Sequence, residues 1–222
     1  MIKSVRAGMA VAVLAVGVLA LGGCGVPAGL RDGGTAPPVA AQPSPQPLWP
    51  DWDGIARKRP GPAVSAPRPA PTPLSGIRVP GSGLAGIDPA EVLRADPRAK
   101  VLGKPQKAAR PGQPGLRPPV LRDLTGDGQP ELILSADLDS GRTAMAVYTA
   151  RDGEVVPVLH IGGKLLGVET VGTDLVVRSA ADDGAEQAVR YRWDGARLSS
   201  VSDIRTYQRD DEEDAPEPED GP

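Results

Sequence analysis

Nine residues of this 222-residue chain have the composition of a cation-binding loop: Asp123-Leu124-Thr125-Gly126-Asp127-Gly128-Gln129-Pro130-Glu131. Side-chain oxygens stand at its first, third, fifth and ninth positions. Gly128, at the sixth, allows a sharp turn, and Gln129 can offer its backbone carbonyl. A hard cation with several oxygen ligands, calcium above all, suits that arrangement. Asp123, Thr125, Asp127, Gln129 and Glu131 are therefore the candidate ligands. The competing role for the same carboxylates is an Asx-turn, in which Asp123 and Asp127 bond nearby backbone and fix a corner between strands.

The loop resembles the Asp-x-Asn/Asp-x-Asp-Gly loops of the FG-GAP and VCBS repeats of extracellular β-propellers. It departs from them at Thr125, a neutral and weaker ligand where those repeats carry Asp or Asn. It is not an EF-hand, because the twelfth position is Leu134 instead of a bidentate Glu.

Other reactive side chains are scarce. His160 is the only histidine and Cys24 the only cysteine, and His160 lies in an apolar run where a satisfied structural role is expected. No Gly-x-Ser-x-Gly elbow or Gly-rich phosphate loop occurs. The chain is not expected to be an enzyme, and no small-molecule substrate suggests itself.

Cys24 ends the stretch Leu21-Gly22-Gly23-Cys24, which looks like the lipobox of bacterial lipoproteins. Lys3 and Arg6 precede an uncharged run over residues 7–21, about the length of a secretory signal core and short for a membrane span. The resemblance implies cleavage after residue 23, a diacylglycerol on Cys24, and a protein held on the extracytoplasmic face of the cell membrane. Stable anchoring takes more than one acyl chain. A lone thiol in an exported chain would otherwise stay exposed and oxidisable.

Removing residues 1–23 takes the net charge from -3 to -5, and the excess is local. Residues 208–222 form an acidic tail with eight acids after Arg209 and no base. It is read as a disordered, solvated end. Without it the mature chain is near +3, too mild for a nucleic-acid-binding face. Residues 24–86 are dominated by Pro, Ala, Gly and Ser, and such a stretch buries too little apolar surface to offset the entropy of ordering it. A disordered tether is expected there, with a contour of roughly 190 Å if extended at ~3.1 Å per residue and ~45 Å as a coil. One island interrupts it. Trp49 and Trp52, followed by Arg57, Lys58 and Arg59, have the makings of a docking peptide for a partner or an anionic surface. The plainer alternative is that the tryptophans fold back onto the domain.

Order is expected over residues 87–207, a short helix and then a β domain. Asp88-Pro89-Ala90-Glu91 supplies an N-cap, a proline at the first helical position and a glutamate at the third, and Pro97 stops the helix. From 120 to 202 the pattern is β throughout: Val189, Tyr191 and Trp193 alternate with arginines, and residues 132–136, 143–149, 155–161, 165–171 and 175–179 are apolar or β-branched. Asp152-Gly153, Gly162-Gly163, Asp183-Gly184 and Asp194-Gly195 read as hairpin turns. The surroundings of Tyr148 and Tyr191 resemble each other at a period of about 43 residues, enough for four short strands. The expected fold is mostly β: two packed, blade-like antiparallel meanders.

The layout of acylated cysteine, Pro-rich tether and small β domain carrying Asp-Leu-Thr-Gly-Asp-Gly and Tyr-x-Trp-Asp-Gly-Ala-Arg is similar to that of CseA-type lipoproteins of actinomycetes. That resemblance implies a negative modulator of a cell-envelope-stress pathway, acting outside the membrane on a sensor kinase beside a sigma factor. It carries no site residues. The alternative from the loop is a calcium-stabilised module binding wall glycan or another envelope ligand.

Overall fold

The computed structural model describes residues 43–53, 70–99, 111–181 and 183–207. Its strands are β1 (Gln46–Pro47), β2 (Gly115–Leu116), β3 (Val120–Arg122), β4 (Glu131–Asp137), β5 (Thr143–Arg151), β6 (Glu154–Gly163), β7 (Leu165–Val171), β8 (Asp174–Ala180), β9 (Glu186–Trp193) and β10 (Leu198–Thr206), with one α-helix, α1 (Pro89–Ala95). They form two five-stranded antiparallel sheets. The first runs β2-β4-β5-β6 with β3 also on β4, and the second runs β1-β7-β8-β9-β10. Each is built on a meander of consecutive hairpins, as the sequence pattern implied.

Alternation decides the layers. Ile133, Met145, Val147, Leu159 and Ile161 of the first sheet meet Val168, Leu175, Val177, Val189, Tyr191 and Leu198 of the second in one buried core. The opposite face of the first sheet, with Leu132, Leu134, Tyr148 and Val155, is covered by Leu74, Leu84, Val92 and Leu93. Strand β4 is thus buried at every residue, which is why it reads as a continuous apolar run between two acids. The outer face of the second sheet is polar; there Asp174 binds Arg190 and, through two bonds, Arg192.

The local signals work through named contacts. Asp88 accepts the Ala90 N–H at 2.9 Å to cap α1. Asp152 and Gly153 both have positive φ, 52° and 73°, the conformation of a type I′ turn. Asp194 takes the Ser199 hydroxyl and the N–H groups of Arg197 and Ala196, and these bonds hold its carboxyl down to about 2. Gly162-Gly163 behaves otherwise. Both residues belong to β6, and the chain passes through Lys164 directly into β7, switching sheets instead of making a hairpin. Side-chain-free residues suit such a corner.

The N-terminal boundary also moves. Within the stretch expected to be a tether, β1 pairs with β7 (Gln46 with Thr170, Pro47 with Glu169), and Leu48 N–H bonds the Val168 carbonyl at 2.9 Å. Trp49 is 3% exposed and lies in the inter-sheet core with Leu48. Further on, Leu74 and Val79 N–H groups bond Val155 and Gly153 carbonyls on the β6 edge, and Leu74, Ile77 and Leu84 are buried. Average composition hides this. A few well-spaced apolar residues suffice when finished sheets provide the slots, and proline is tolerated on an edge strand.

Trp49→Ala removes a buried indole and should cost about 3–5 kcal/mol of unfolding free energy. Urea denaturation would measure that loss, and limited proteolysis should show earlier cutting around residues 46–53. Unchanged stability would mean that the indole is not seated in the core.

Candidate functional site

The acidic loop has its carboxylates engaged. Asp123 accepts Gly126 N–H at 2.7 Å through one oxygen and Gly128 N–H at 3.0 Å through the other, and Asp127 accepts Gln129 N–H at 2.7 Å. Glu131 is buried and points under the loop. It accepts the N–H groups of Leu124 (2.7 Å) and Thr125 (3.2 Å) and the hydroxyls of Thr149 (3.0 Å) and Thr125 (3.4 Å). Burial pushes the Glu131 carboxyl up, against these bonds. Asp123, Asp127 and Glu131 thus each serve donors of the loop or the sheet. Among the described residues no three His, Cys, Asp or Glu side chains are grouped to hold a metal ion. Gly126 and Gly128, at φ 79° and 82°, let the chain curl so that its N–H groups turn inward to the carboxylates. These are the bonds of the Asx-turn that competes with calcium for the same carboxylates, and calcium binding by this loop stays a proposal.

The tryptophan island is likewise not a free peptide. Trp49 donates its indole N–H to the Pro118 carbonyl at 2.8 Å, and Trp52 packs against the core from its edge. Between them lies the Arg117 guanidinium, 5.4 Å from the Trp49 ring centroid and 5.8 Å from that of Trp52. Arg117 binds Asp137 through two bonds, at 3.2 and 2.8 Å, and Thr143 donates to the same carboxylate at 2.8 Å. The Arg117 and Asp137 side chains are both 6% exposed. Asp53 closes the segment by approaching Arg178 at 3.8 Å. The pair passes over Gly167, where a β-carbon would stand 2.5 Å from the Arg178 guanidinium and 3.0 Å from the Asp53 carboxylate and would make both side chains shift. Trp49 is thus buried and Trp52 half-buried, because the sheets supply an apolar slot and a cation beside both rings. Arg57, Lys58 and Arg59 lie outside the described residues, as do Cys24 and the acidic tail.

A third cluster was not foreseen. Asp96, 1% exposed at the end of α1, accepts Tyr148 OH at 2.9 Å and faces His160 Nε2 at 2.7 Å, while Arg98 N–H bonds its other oxygen at 2.9 Å. Arg98 Nη1 stands 3.3 Å from His160 Nδ1. A guanidinium only donates, so Nδ1 accepts and the Nε2 proton is directed to Asp96. A β-bulge at Val158, where Val147 pairs with Leu159 and Tyr148 with Pro157, changes the phase of β6 and turns His160 to the Tyr148 face. The sequence showed His160 in an apolar run, but its partners lie 12, 62 and 64 positions away. Burial pushes the Asp96 carboxyl up, and the bonds from His160, the Arg98 N–H and Tyr148 outweigh it, leaving the group below its ordinary value. The cluster borders a cleft of about 490 Å³ lined by Thr72, Leu74, Ser75, Arg94, Asp96 and Arg98 among others. With both imidazole nitrogens in contact, the arrangement joins the end of α1 to the first sheet.

Two outcomes follow. Adding calcium or a chelator should leave the melting temperature unchanged, whereas Glu131→Gln, which turns an amide N–H toward four donors, should cost about 1–3 kcal/mol; a calcium-dependent rise in melting temperature would restore the metal site. A depressed Asp96 means that folding favours its charged form, so its contribution is complete above the ordinary carboxyl value of 3.8 and fades as pH falls through the lower folded value. Urea midpoints of wild type and Asp96→Asn should accordingly differ at neutral pH and draw together in strong acid; a gap constant across that range would refute the assignment. No family model matches the chain, and neither a curated protein nor a solved structure is significantly similar to it.

Proposed function

We propose that this chain is a non-enzymatic lipoprotein of the extracytoplasmic membrane face, which restrains a cell-envelope-stress sensor through direct protein contact. The observation that carries the proposal is the route of the chain from its candidate anchor. Cys24 stands 22 residues before Gln46, and Gln46 is already paired into the second sheet. Fully extended, that path spans at most about 75 Å at ~3.3–3.6 Å per residue, well short of the ~190 Å contour of a tether running to residue 86. A protein that acts by contact on a sensor in the same membrane gains from such a short leash, which raises the local concentration of the domain near its partner. The buried charges fit a module that presents a rigid surface: Glu131, Asp137 and Asp96 all serve internal bonds. The glycan- or ligand-binding alternative drew on the loop as a calcium site, and its ligands are engaged elsewhere.

The deciding experiment deletes the gene in the native host and follows envelope-stress transcription with and without a wall antibiotic. Basal output should rise several-fold. Wild type should restore it, and Cys24→Ala, which cannot be acylated, should not. Unchanged output on deletion would overturn the proposal.

A further inference from the structure

The two edges of the second sheet are treated differently. At β7 the edge is closed by β1 and the Leu48 N–H. Among the described residues β10 pairs with β9 alone, so the outward N–H and C=O groups of its residues 202–206 have no neighbouring strand. All three exposed large hydrophobics among the described residues collect here: Val201 (51% exposed), Ile204 (59%) and Tyr207 (63%). From Asp203 onward every described residue of this end is exposed. Open, apolar edges are ready templates for another strand.

The order of residues along this edge names the strand that fits. In Val201-Ser202-Asp203-Ile204-Arg205-Thr206-Tyr207 the two charges are opposite in sign and flank Ile204. Antiparallel pairing with an identical strand, its two-fold axis at Ile204, sets Ile204 against the partner's Ile204. Asp203 then faces the partner's Arg205, and Arg205 faces the partner's Asp203. Ser202 meets the partner's Thr206, while Val201, at the bulge, and Tyr207, just past the strand and bonded to Asp183 at 3.0 Å, flank the ladder at its two ends. Opposite charges and apolar pairs directly across a non-bonded or bonded position are the combinations that stabilise a ladder. An edge protected by charges of one sign would repel its own copy; this one matches it. Within the chain Asp203 accepts from Gln187 at 2.8 and 2.9 Å and Arg205 approaches Asp183 at 3.5 Å, contacts that a partner's charges would extend. Antiparallel pairing also puts the two Tyr207 residues at opposite ends of the joint, and the acid-rich sequence after each is not brought against its twin.

We infer that β10 is a homodimerisation edge, joining two copies of this chain into a continuous ten-stranded sheet through an isologous contact centred on Ile204.

Sedimentation of the full chain carrying Cys24→Ser, from micromolar to near-millimolar concentration, should reveal a monomer–dimer equilibrium. Asp203→Arg and Arg205→Asp should each weaken it by about tenfold or more, since each sets like charges opposite one another twice. The double variant Asp203→Arg/Arg205→Asp should recover it, a result that loss of the Gln187 contact alone would not produce. In the same background, Ile204→Cys should form a disulfide-linked dimer on mild oxidation. Ser199→Cys should not, since its two copies would lie about 34 Å apart at ~3.4 Å per residue. A chain that stays monomeric throughout, a double variant as weak as the singles, or equal crosslinking at 199 and 204 would each overturn the inference. A monomer would leave the edge to a strand of another protein. Because the readouts are physical, they stand apart from the transcriptional test of function.

Discussion

The packing of Trp49 into the seam between the two sheets is the contact on which the N-terminal half of the molecule depends. Strand β1 has two residues and could not hold itself to β7 by backbone bonds alone. The indole supplies the apolar area, its N–H is satisfied by Pro118, and the Arg117 guanidinium lies close to the ring. Arg117 in turn is fixed by Asp137 at the end of β4. Three distant pieces of sequence, near residues 49, 117 and 137, therefore form one joint. A buried pair of this kind adds little net stability over an apolar substitute, but losing one partner strands the other charge. It works as a keying device as much as a source of energy.

The fold class was legible because it rests on local periodicity. Alternation in β9, the Asp-Gly turns and the capped start of α1 are each confined to a few residues, and the structure uses them as their physics dictates. What escaped the sequence was long-range and sparse. The pair Leu48-Trp49 and the single Leu74 and Leu84 stand among prolines, glycines and small polar residues, so a composition average treats them as solvated. Gly162-Gly163 has the letters of a turn, yet neighbouring strands recruit it for a crossing between sheets.

The candidate site was legible in residue type and not in geometry. Asp123, Asp127 and Glu131 have the spacing of a cation loop, and the same spacing suits carboxylates that satisfy their own loop's N–H groups. The difference lies in Glu131, which faces inward toward Thr149, a contact no local pattern announces. The Asp96–His160–Tyr148 cluster left no local trace either, since it is assembled from α1, β5 and β6 and depends on the phase shift of one bulge. Sequence motifs report what a side chain can do; the direction it faces is a property of the assembled sheets.

The short pairing of β1 has a mechanical consequence. Tension applied to the chain ahead of Gln46 is delivered to a two-residue ladder and one indole, while the meanders behind them share no part of the load at first. The segment would peel before either sheet shears. Each bond lost lengthens the free chain, so the domain yields in steps and keeps its sandwich intact. The same joint would then act as a fuse between the chain ahead of Gln46 and the sandwich.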